Sequence, residues 1–259
     1  MRPAFILIIF LVIASLAVPV HGFDWSNGVV IVLFGSQYGT GWWVAKNYVV
    51  TAAHVVNYQN GTLVQLIRGD WKASGQVVCV DSKLDVAVIK TDRMPVFAHV
   101  FPVASRVEKL QQLFVIGYPF ELVQISKSLE AASSDPRIAE GFAAWYKPEY
   151  HLIEFQAETD AGNSGGPVVY ANGAVAGLVS FALIGKAGVL YFASDADAIK
   201  QVLDKAGVHY TTEEPPVVAA GSGKLYAMIT SRDLWMWSMA VSALVSIIVT
   251  VAWLATRGG

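Results

Sequence analysis

Cysteine, charge and metal-ligand clusters are all scarce in this chain of 259 residues. Cys79 is the only cysteine, so no disulfide can form within the chain, and its strand-like apolar surroundings predict a small buried side chain rather than a reactive thiol. Charged residues make up 15% and the net charge is −2, which gives no basis for a nucleic-acid partner. The sequence shows neither metal-ligand spacing nor a phosphate-binding glycine loop, so we predict no metal and no cofactor.

Apolar residues make up 54% of the chain, against ~45–50% in an average soluble protein, and the excess lies at the two ends. Residues 1–22 predict a signal peptide: Arg2 precedes the apolar run Ala4–Val18, and Pro19 and small residues follow it. An uncleaved anchor is the alternative interpretation. The apolar run is short for a hydrocarbon core of ~30 Å, which favours cleavage.

The C-terminal end predicts a transmembrane helix. Leu234–Ala255 holds 22 residues without charge or proline, and a helix of that length reaches about 33 Å. Trp235 and Trp253 lie near its two ends, where indole rings favour the membrane boundary. Arg257 in the tail 256–259 favours a cytoplasmic C-terminus. We therefore expect a single-pass protein of the cell membrane whose main domain is extracytoplasmic.

Between these ends, short β-branched runs alternate with turn residues, which predicts an all-β sandwich or barrel rather than βαβ units. Periodicity alone does not distinguish the two all-β architectures. The predicted strands are Val29–Phe34, Gly41–Ala45, Tyr48–Thr51, Thr62–Ile67, Gln76–Val80, Val86–Lys90, Leu113–Gly117, Leu122–Ser128, His151–Ala157, Pro167–Tyr170, Ala174–Phe181 and Gly188–Ala193.

Three segments depart from the strand pattern. Glu130–Lys147 is interpreted as an inserted loop with a short helix at Arg137–Trp145, which is either a lid over a cleft or a solvated decoration. Ser194–Ala206 predicts a closing helix capped by Ser194. Residues 208–233 contain Pro-Pro and Gly-Ser-Gly sequences and predict an extended linker. The main domain is thus expected to span residues 23–207.

Three motifs carry the chemistry. The hexapeptide Gly162–Pro167 places Ser164 between glycines, which allow a tight turn whose N–H groups converge beside the hydroxyl. A serine hydroxyl needs a group that removes its proton and donors that stabilise the oxyanion. Thr51–His54 offers an imidazole that can take a proton near neutral pH, and Leu84–Ile89 offers Asp85 at the start of an apolar strand.

In the order His, Asp, Ser, these motifs resemble the chymotrypsin-like serine proteases, nearest the disulfide-free Deg/HtrA branch, over roughly Val29 to Gly207. The resemblance implies two six-stranded antiparallel barrels with a closing helix. His54 and Asp85 would come from the first barrel and Ser164 from the second. The PDZ domain that many members of the branch carry is not expected after the protease body. A homo-oligomer is compatible with the resemblance.

The resemblance also implies roles. His54 would be the general base, Asp85 its orienting carboxylate and Ser164 the nucleophile, with the N–H groups of Gly162 and Ser164 as the oxyanion hole. Val179–Ala182 resembles the segment that pairs with substrate backbone. Ser180 would donate a hydrogen bond to Asp85, while Phe181 and Ala182 would line an extended peptide.

Specificity is weakly encoded. Glu158 lies six positions before Ser164, where trypsin-like enzymes carry the acid that selects lysine or arginine, but without a disulfide frame we favour a small or medium apolar residue. Asn163 stands where an activating aspartate would precede the serine, which argues against activation by cleavage.

The leading hypothesis is a membrane-anchored serine endopeptidase that acts on extracytoplasmic polypeptides. A catalytically silent, membrane-tethered peptide-binding or chaperone module and a protease dedicated to one membrane partner are the alternatives.

Overall fold

The computed structural model describes residues 25–185 and 188–216. The predicted signal peptide, most of the predicted linker, the predicted transmembrane helix and the tail lie outside these residues. Within the described ranges, the helices are all too short or too polar to cross a membrane.

The first half of the described chain is a closed barrel of six antiparallel strands, in the order β1-β2-β3-β6-β5-β4. Buried apolar side chains form continuous runs in β1, β2 and β6 and alternate with exposed side chains along most of β5, and both Trp42 and Trp43 are fully buried on β2. Gly35, at a φ of +60°, allows the tight β1–β2 turn. The strands are β1 Val29–Phe34, β2 Gln37–Ala45, β3 Tyr48–Thr51, β4 Leu63–Arg68, β5 Trp71–Asp81 and β6 Val86–Thr91.

The second half forms another six-stranded ring, which the pairing of β11 with β12 closes. Its strands are β8 Gln112–Gly117, β9 Arg137–Lys147, β10 Leu152–Gln156, β11 Pro167–Tyr170, β12 Val175–Gly185 and β13 Gly188–Asp195. Two short strands, β7 Val103–Ala104 and β14 Thr212–Glu213, extend this sheet by parallel pairing. The prediction of an all-β fold with two six-stranded antiparallel barrels is confirmed.

Short helices connect or close the barrels: α1 Phe120–Ser126, α2 Leu129–Ser133, α3 Ala196–Lys205, and 3₁₀ helices at Trp25–Gly28, Ala53–Val56 and Pro148–Tyr150. The predicted closing helix is confirmed as α3, whose apolar stripe is buried. Its cap is Asp195 rather than the predicted Ser194, because the Asp195 carboxylate accepts the Ala198 N–H at 2.7 Å. The Ser194 hydroxyl is directed elsewhere, to the carbonyl of Leu84.

Two local predictions were wrong: one predicted strand is a helix, and one predicted helix is a strand. Leu122–Ser128 was predicted to be a strand, but it lies largely in α1, which begins after Pro119 and ends at Lys127 in a left-handed conformation. Arg137–Trp145 was predicted to be a helix, but it lies in β9, which pairs with both β8 and β10. Sheet pairing on both sides overrides the helix propensity of its alanines and glutamate. The insertion is therefore not a lid helix but part of the second barrel.

The described chain stays ordered in the sheet beyond Gly207. Residues 208–216, which the sequence assigned to the linker, include β14, and Thr212 pairs with Val103. Gly207, at a φ of +67°, turns the chain away from α3 toward this strand. The sheet of the second barrel thus includes residues that the predicted domain boundary left out.

Candidate active site

His54 lies in the 3₁₀ helix that follows β3, and its backbone is tied to Asp85. The amide of Ala53 donates to the Asp85 carbonyl at 3.2 Å, and the His54 amide donates to Asp85 Oδ1 at 3.0 Å. His54 Nδ1 is 2.9 Å from Asp85 Oδ2. An ionised carboxylate can only accept, so this geometry selects the tautomer with a proton on Nδ1 and leaves Nε2 free to accept one.

Asp85 follows a tight turn at the end of β5 and adopts a left-handed backbone conformation, with φ at 52°. Asp81 Oδ1 accepts the amides of Lys83 and Leu84 at 3.0 and 3.1 Å and so organises this turn. The turn is only part-buried, whereas β6 begins directly afterwards with fully buried Val86. The carboxylate therefore sits at the rim of the first barrel, facing the second.

Ser180 reaches Asp85 from the second barrel, as the sequence predicted. Its hydroxyl donates to Asp85 Oδ2 at 2.5 Å. The pairing of β12 with β13 skips one residue between Val179 and Phe181, so Ser180 is the extra residue of a β-bulge. A bulge redirects a side chain away from the regular alternation, which explains why this hydroxyl leaves the sheet and meets the carboxylate.

The loop that carries Ser164 is fixed on both sides. The Thr40 amide donates to the Ser164 carbonyl at 2.8 Å, and the Gly165 amide donates to the Val179 carbonyl at 2.7 Å. Gly165 has a φ of +83°, and a Cβ added there would lie 2.2 Å from Thr51 Oγ1. Only glycine fits this position, where the loop packs against the end of β3, three residues before His54.

The amides of this loop fall into two groups. Asn163 N–H donates to the Asp160 carbonyl at 3.1 Å, and Gly166 N–H donates to the Asn163 carbonyl at 2.8 Å. The amides of Gly162 and Ser164, the two predicted for an oxyanion hole, donate to no group within the described residues. The N–H of Gly162, two residues before the serine, and the N–H of Ser164 itself are thus available to an incoming oxygen.

The structure joins His54, Asp85 and Ser180 in one hydrogen-bonded chain and places the Ser164 loop against the same two barrels. Within the described residues, no hydrogen bond links the Ser164 hydroxyl to His54. A serine and its base are often not yet in contact in an unliganded site, and the bond tightens when substrate binds.

Thr40 is a central residue of the site that the sequence did not reveal. It is fully buried, and its hydroxyl donates to the Gly162 carbonyl at 2.7 Å and accepts the Tyr118 amide at 3.1 Å. Its carbonyl accepts the Thr51 hydroxyl at 2.7 Å. The only sequence signal is that Thr40 stands between two glycines near an apolar run. Such a Gly-Thr-Gly pattern occurs in turns as well as in strands, so it does not identify a functional residue.

Tyr38 also borders the loop. A Cβ added to Gly162 would lie 3.0 Å from the Tyr38 hydroxyl. Burial, with Asp160 and Glu121 nearby, raises the pKa of Tyr38 to about 12. The phenol therefore stays protonated at neutral pH and remains a hydrogen-bond donor beside the candidate oxyanion hole.

Two cavities flank the strand at Ser180 and Phe181. One, of about 400 Å³, lies between the barrels and is bounded by His54, Asp85 and residues 150–152 of the second barrel. The other, of about 380 Å³, contains Ser164 and is lined mostly by apolar side chains. Phe181 and Ala182, predicted to contact substrate, both line the second cavity.

Other titratable groups have structural partners. Glu158, the position compared with a lysine-selecting acid, forms an exposed ion pair with Arg137 and does not line the cavity at Ser164. His151 Nδ1 lies 3.1 Å from Asp195 Oδ1. Across residues 25–185 and 188–216, the His, Cys, Asp and Glu side chains form no group that could hold a metal ion.

Two six-stranded barrels, the first with a His–Asp pair and the second with a Gly-Asn-Ser-Gly-Gly loop, have the chymotrypsin-like architecture. Solved structures share it: the active form of the Rv3671c protease from M. tuberculosis superimposes with a TM-score of 0.56 at 23% identity, covering 75% of this chain and 87% of that one. At this identity the likeness shows the fold.

Sequence comparison gives the family. The family model "Trypsin-like peptidase domain" matches residues 39–178, more than half of the chain, and the chain belongs to this family. The magnetosome formation protease MamE of Magnetospirillum gryphiswaldense is 32% identical over 145 residues, covering 54% of this chain and 18% of MamE. A probable periplasmic serine endoprotease, DegP-like, of Chlamydia trachomatis is 31% identical over 178 residues, covering 64% of this chain and 33% of that protein. The alignments with both relatives thus span a third or less of their length.

Proposed function

We propose that this protein is a serine endopeptidase in which His54, Asp85 and Ser164 form the catalytic triad. The observation that carries the proposal is the hydrogen-bonded chain from Ser180 through Asp85 to His54, set beside a serine loop with two unpaired amides. Membership of the trypsin-like peptidase family supports it.

In this mechanism the Ser164 hydroxyl attacks the carbonyl carbon of a peptide bond, and His54 Nε2 takes the hydroxyl proton. Asp85 stabilises the imidazolium that forms. The N–H groups of Gly162 and Ser164 donate to the oxyanion of the tetrahedral intermediate. His54 then gives its proton to the leaving amine, and the C–N bond breaks to leave an acyl-enzyme. Water, deprotonated by His54, then attacks the ester carbon. The ester C–O bond breaks, His54 returns the proton to Ser164 Oγ, and the acid and free Ser164 are released.

An extended substrate would add as a strand beside Ser180, Phe181 and Ala182. Its side chain before the scissile bond would enter the cavity at Ser164, whose lining includes Val179, Ile184 and Val189. These surroundings favour a small or medium apolar residue there. Asp160 at the same cavity is the one carboxylate of the lining, so a lysine side chain is the competing outcome in a peptide library.

The location of the enzyme is part of the proposal. Export by residues 1–22 and anchoring by residues 234–255 would hold the protease domain on the extracytoplasmic face of the cell membrane, where exposed polypeptide segments are its substrates. The word periplasmic in the name of the Chlamydia trachomatis relative agrees with this side of the membrane.

A fluorophosphonate probe tests the proposal, because it labels only an activated serine. The wild-type chain should be labelled and should cleave a denatured protein, and Ser164→Ala should do neither. Ser134→Ala, which removes an exposed hydroxyl at the end of α2, is the matched control and should behave as wild type. An unlabelled wild type with a cooperative thermal transition would contradict the proposal. Peptide binding without turnover would instead support the silent binding module.

A further inference from the structure

Ser194, the last residue but one of β13, makes a contact that neither the triad nor the helix cap explains. Its hydroxyl donates to the Leu84 carbonyl at 2.6 Å, and the residue is only 2% exposed. Leu84 immediately precedes Asp85. A hydroxyl from the second barrel is therefore anchored on the backbone of the first barrel, one residue from the carboxylate that meets His54.

The Asp85 turn needs such an anchor. Asp85 has a positive φ of 52°, a conformation that side chains other than glycine adopt uncommonly. Two residues that precede it in the turn, Ser82 and Lys83, are exposed to solvent. From within the first barrel, the turn is held by Asp81 and by the amides of Ala53 and His54.

The second barrel supplies two further contacts from neighbouring strands. The Ser180 hydroxyl on β12 donates a hydrogen bond to the Asp85 carboxylate, and the Ser194 hydroxyl on β13 donates one to the Leu84 carbonyl. Ser194 itself is rigidly placed, because it pairs with Leu152 on one side and Leu178 on the other. It precedes Asp195, which is fully buried and caps α3. Both hydroxyls thus come from the fixed wall of a barrel rather than from a loop.

We propose that Ser194 is a positioning residue for the catalytic carboxylate: by holding the Leu84 carbonyl, it fixes the conformation in which Asp85 receives the Nδ1–H of His54. The proposal rests on the proposed function for its effect on rate, but its effect on the His54–Asp85 hydrogen bond does not depend on turnover. Ser194 touches no reacting atom and acts only through Asp85.

Ser194→Ala removes the donor and leaves the Leu84 carbonyl without this partner. A small displacement of a catalytic group typically costs up to about 100-fold in rate, so we expect kcat to fall by roughly 10- to 100-fold. KM should change less than about twofold, because the substrate-binding wall at Phe181 is unaffected. Ser194→Thr keeps the hydroxyl and should recover most of the lost rate.

The decisive readout is the low-field proton resonance of the imidazole N–H that is hydrogen-bonded to a carboxylate, measured by NMR on the full chain. It should be present in the wild type and in Ser194→Thr, and weakened or lost through exchange in Ser194→Ala. Ser134→Ala serves again as the control and should keep both the resonance and the rate. Thermal unfolding shows whether each variant is folded at the temperature used.

An unchanged resonance and an unchanged kcat in folded Ser194→Ala would overturn the proposal. A loss of stability with normal kcat at a temperature where the variant is folded would also overturn it, because the contact would then be merely structural. An unlabelled wild type that still shows the resonance, lost in Ser194→Ala, would refute the protease function but support the positioning role.

Discussion

Replacing Thr40 by valine should impair both stability and catalysis, because this buried hydroxyl connects the first barrel to the candidate oxyanion loop. Valine has nearly the same shape but leaves the Gly162 carbonyl and the Tyr118 amide without their partner. Leaving one buried group unpaired costs ~1–3 kcal/mol, so two such groups should lower the free energy of unfolding by about 3 kcal/mol. In a chain of this size that corresponds to a fall of roughly 6–12 °C in the melting temperature.

The same substitution should slow the chemical step. Loss of one oxyanion donor costs ~2.7–4 kcal/mol, and a displaced Gly162 amide retains part of its interaction, so we expect kcat to fall by about 10- to 100-fold. Calorimetry and the rate of fluorophosphonate labelling measure the two effects. Thr40→Ser keeps the hydroxyl and should retain most of both. Thr40→Val with wild-type stability and labelling rate would refute the assignment of Thr40 as the support of this loop.

Three further predictions concern the loop, a buried acid and the single thiol. Gly165→Ala should abolish labelling and lower the melting temperature by more than about 5 °C, because its Cβ would overlap Thr51 Oγ1; normal activity would show that the loop moves freely. Burial is the main cause that raises the pKa of Asp195 in the folded protein. The contribution of Asp195 to the free energy of unfolding is therefore complete below its pKa in the unfolded chain, ~3.9, and is lost as pH rises through its higher pKa in the folded protein. Asp195→Asn should therefore become more stable relative to wild type as pH rises above about 4 in urea unfolding, and a constant difference would contradict this. Burial likewise raises the pKa of the Cys79 thiol, so a thiol reagent should modify it slowly until urea unfolds the chain; rapid reaction in the folded protein would show that Cys79 is accessible.

The apolar pattern predicted most of the strands well, because many of them carry a continuous apolar signal, whereas the two barrels were implied only by the family resemblance. Val29–Phe34, Tyr48–Thr51 and Pro167–Tyr170 coincide with β1, β3 and β11. It failed where the local signal and the tertiary pairing disagree, as in β9, whose Ala-rich stretch reads as a helix until β8 and β10 pair with it. Local propensity contains no information about such long-range partners.

The site residues that lie in recognisable sequence motifs could be predicted, and those outside such motifs could not. The positions of His54, Asp85 and Ser180 follow from short segments with recognisable neighbours, and the structure joins the three by hydrogen bonds. Thr40 and Ser194 have no such signal, since each acts through a backbone carbonyl far away in sequence. A hydroxyl that supports a distant main-chain group becomes visible only when the two barrels are assembled.

The Ser164 loop is built against the first barrel: Thr40 holds its carbonyl, and Gly165 leaves no room for a side chain beside Thr51. In the proposed enzyme, neither half of the domain would therefore possess a competent nucleophile when separated from the other. A newly made or damaged chain would therefore have no peptidase activity until its two halves dock. Two fragments made by splitting the chain between β6 and β8 should each be inactive. Their association should then be measurable as a recovery of peptide cleavage.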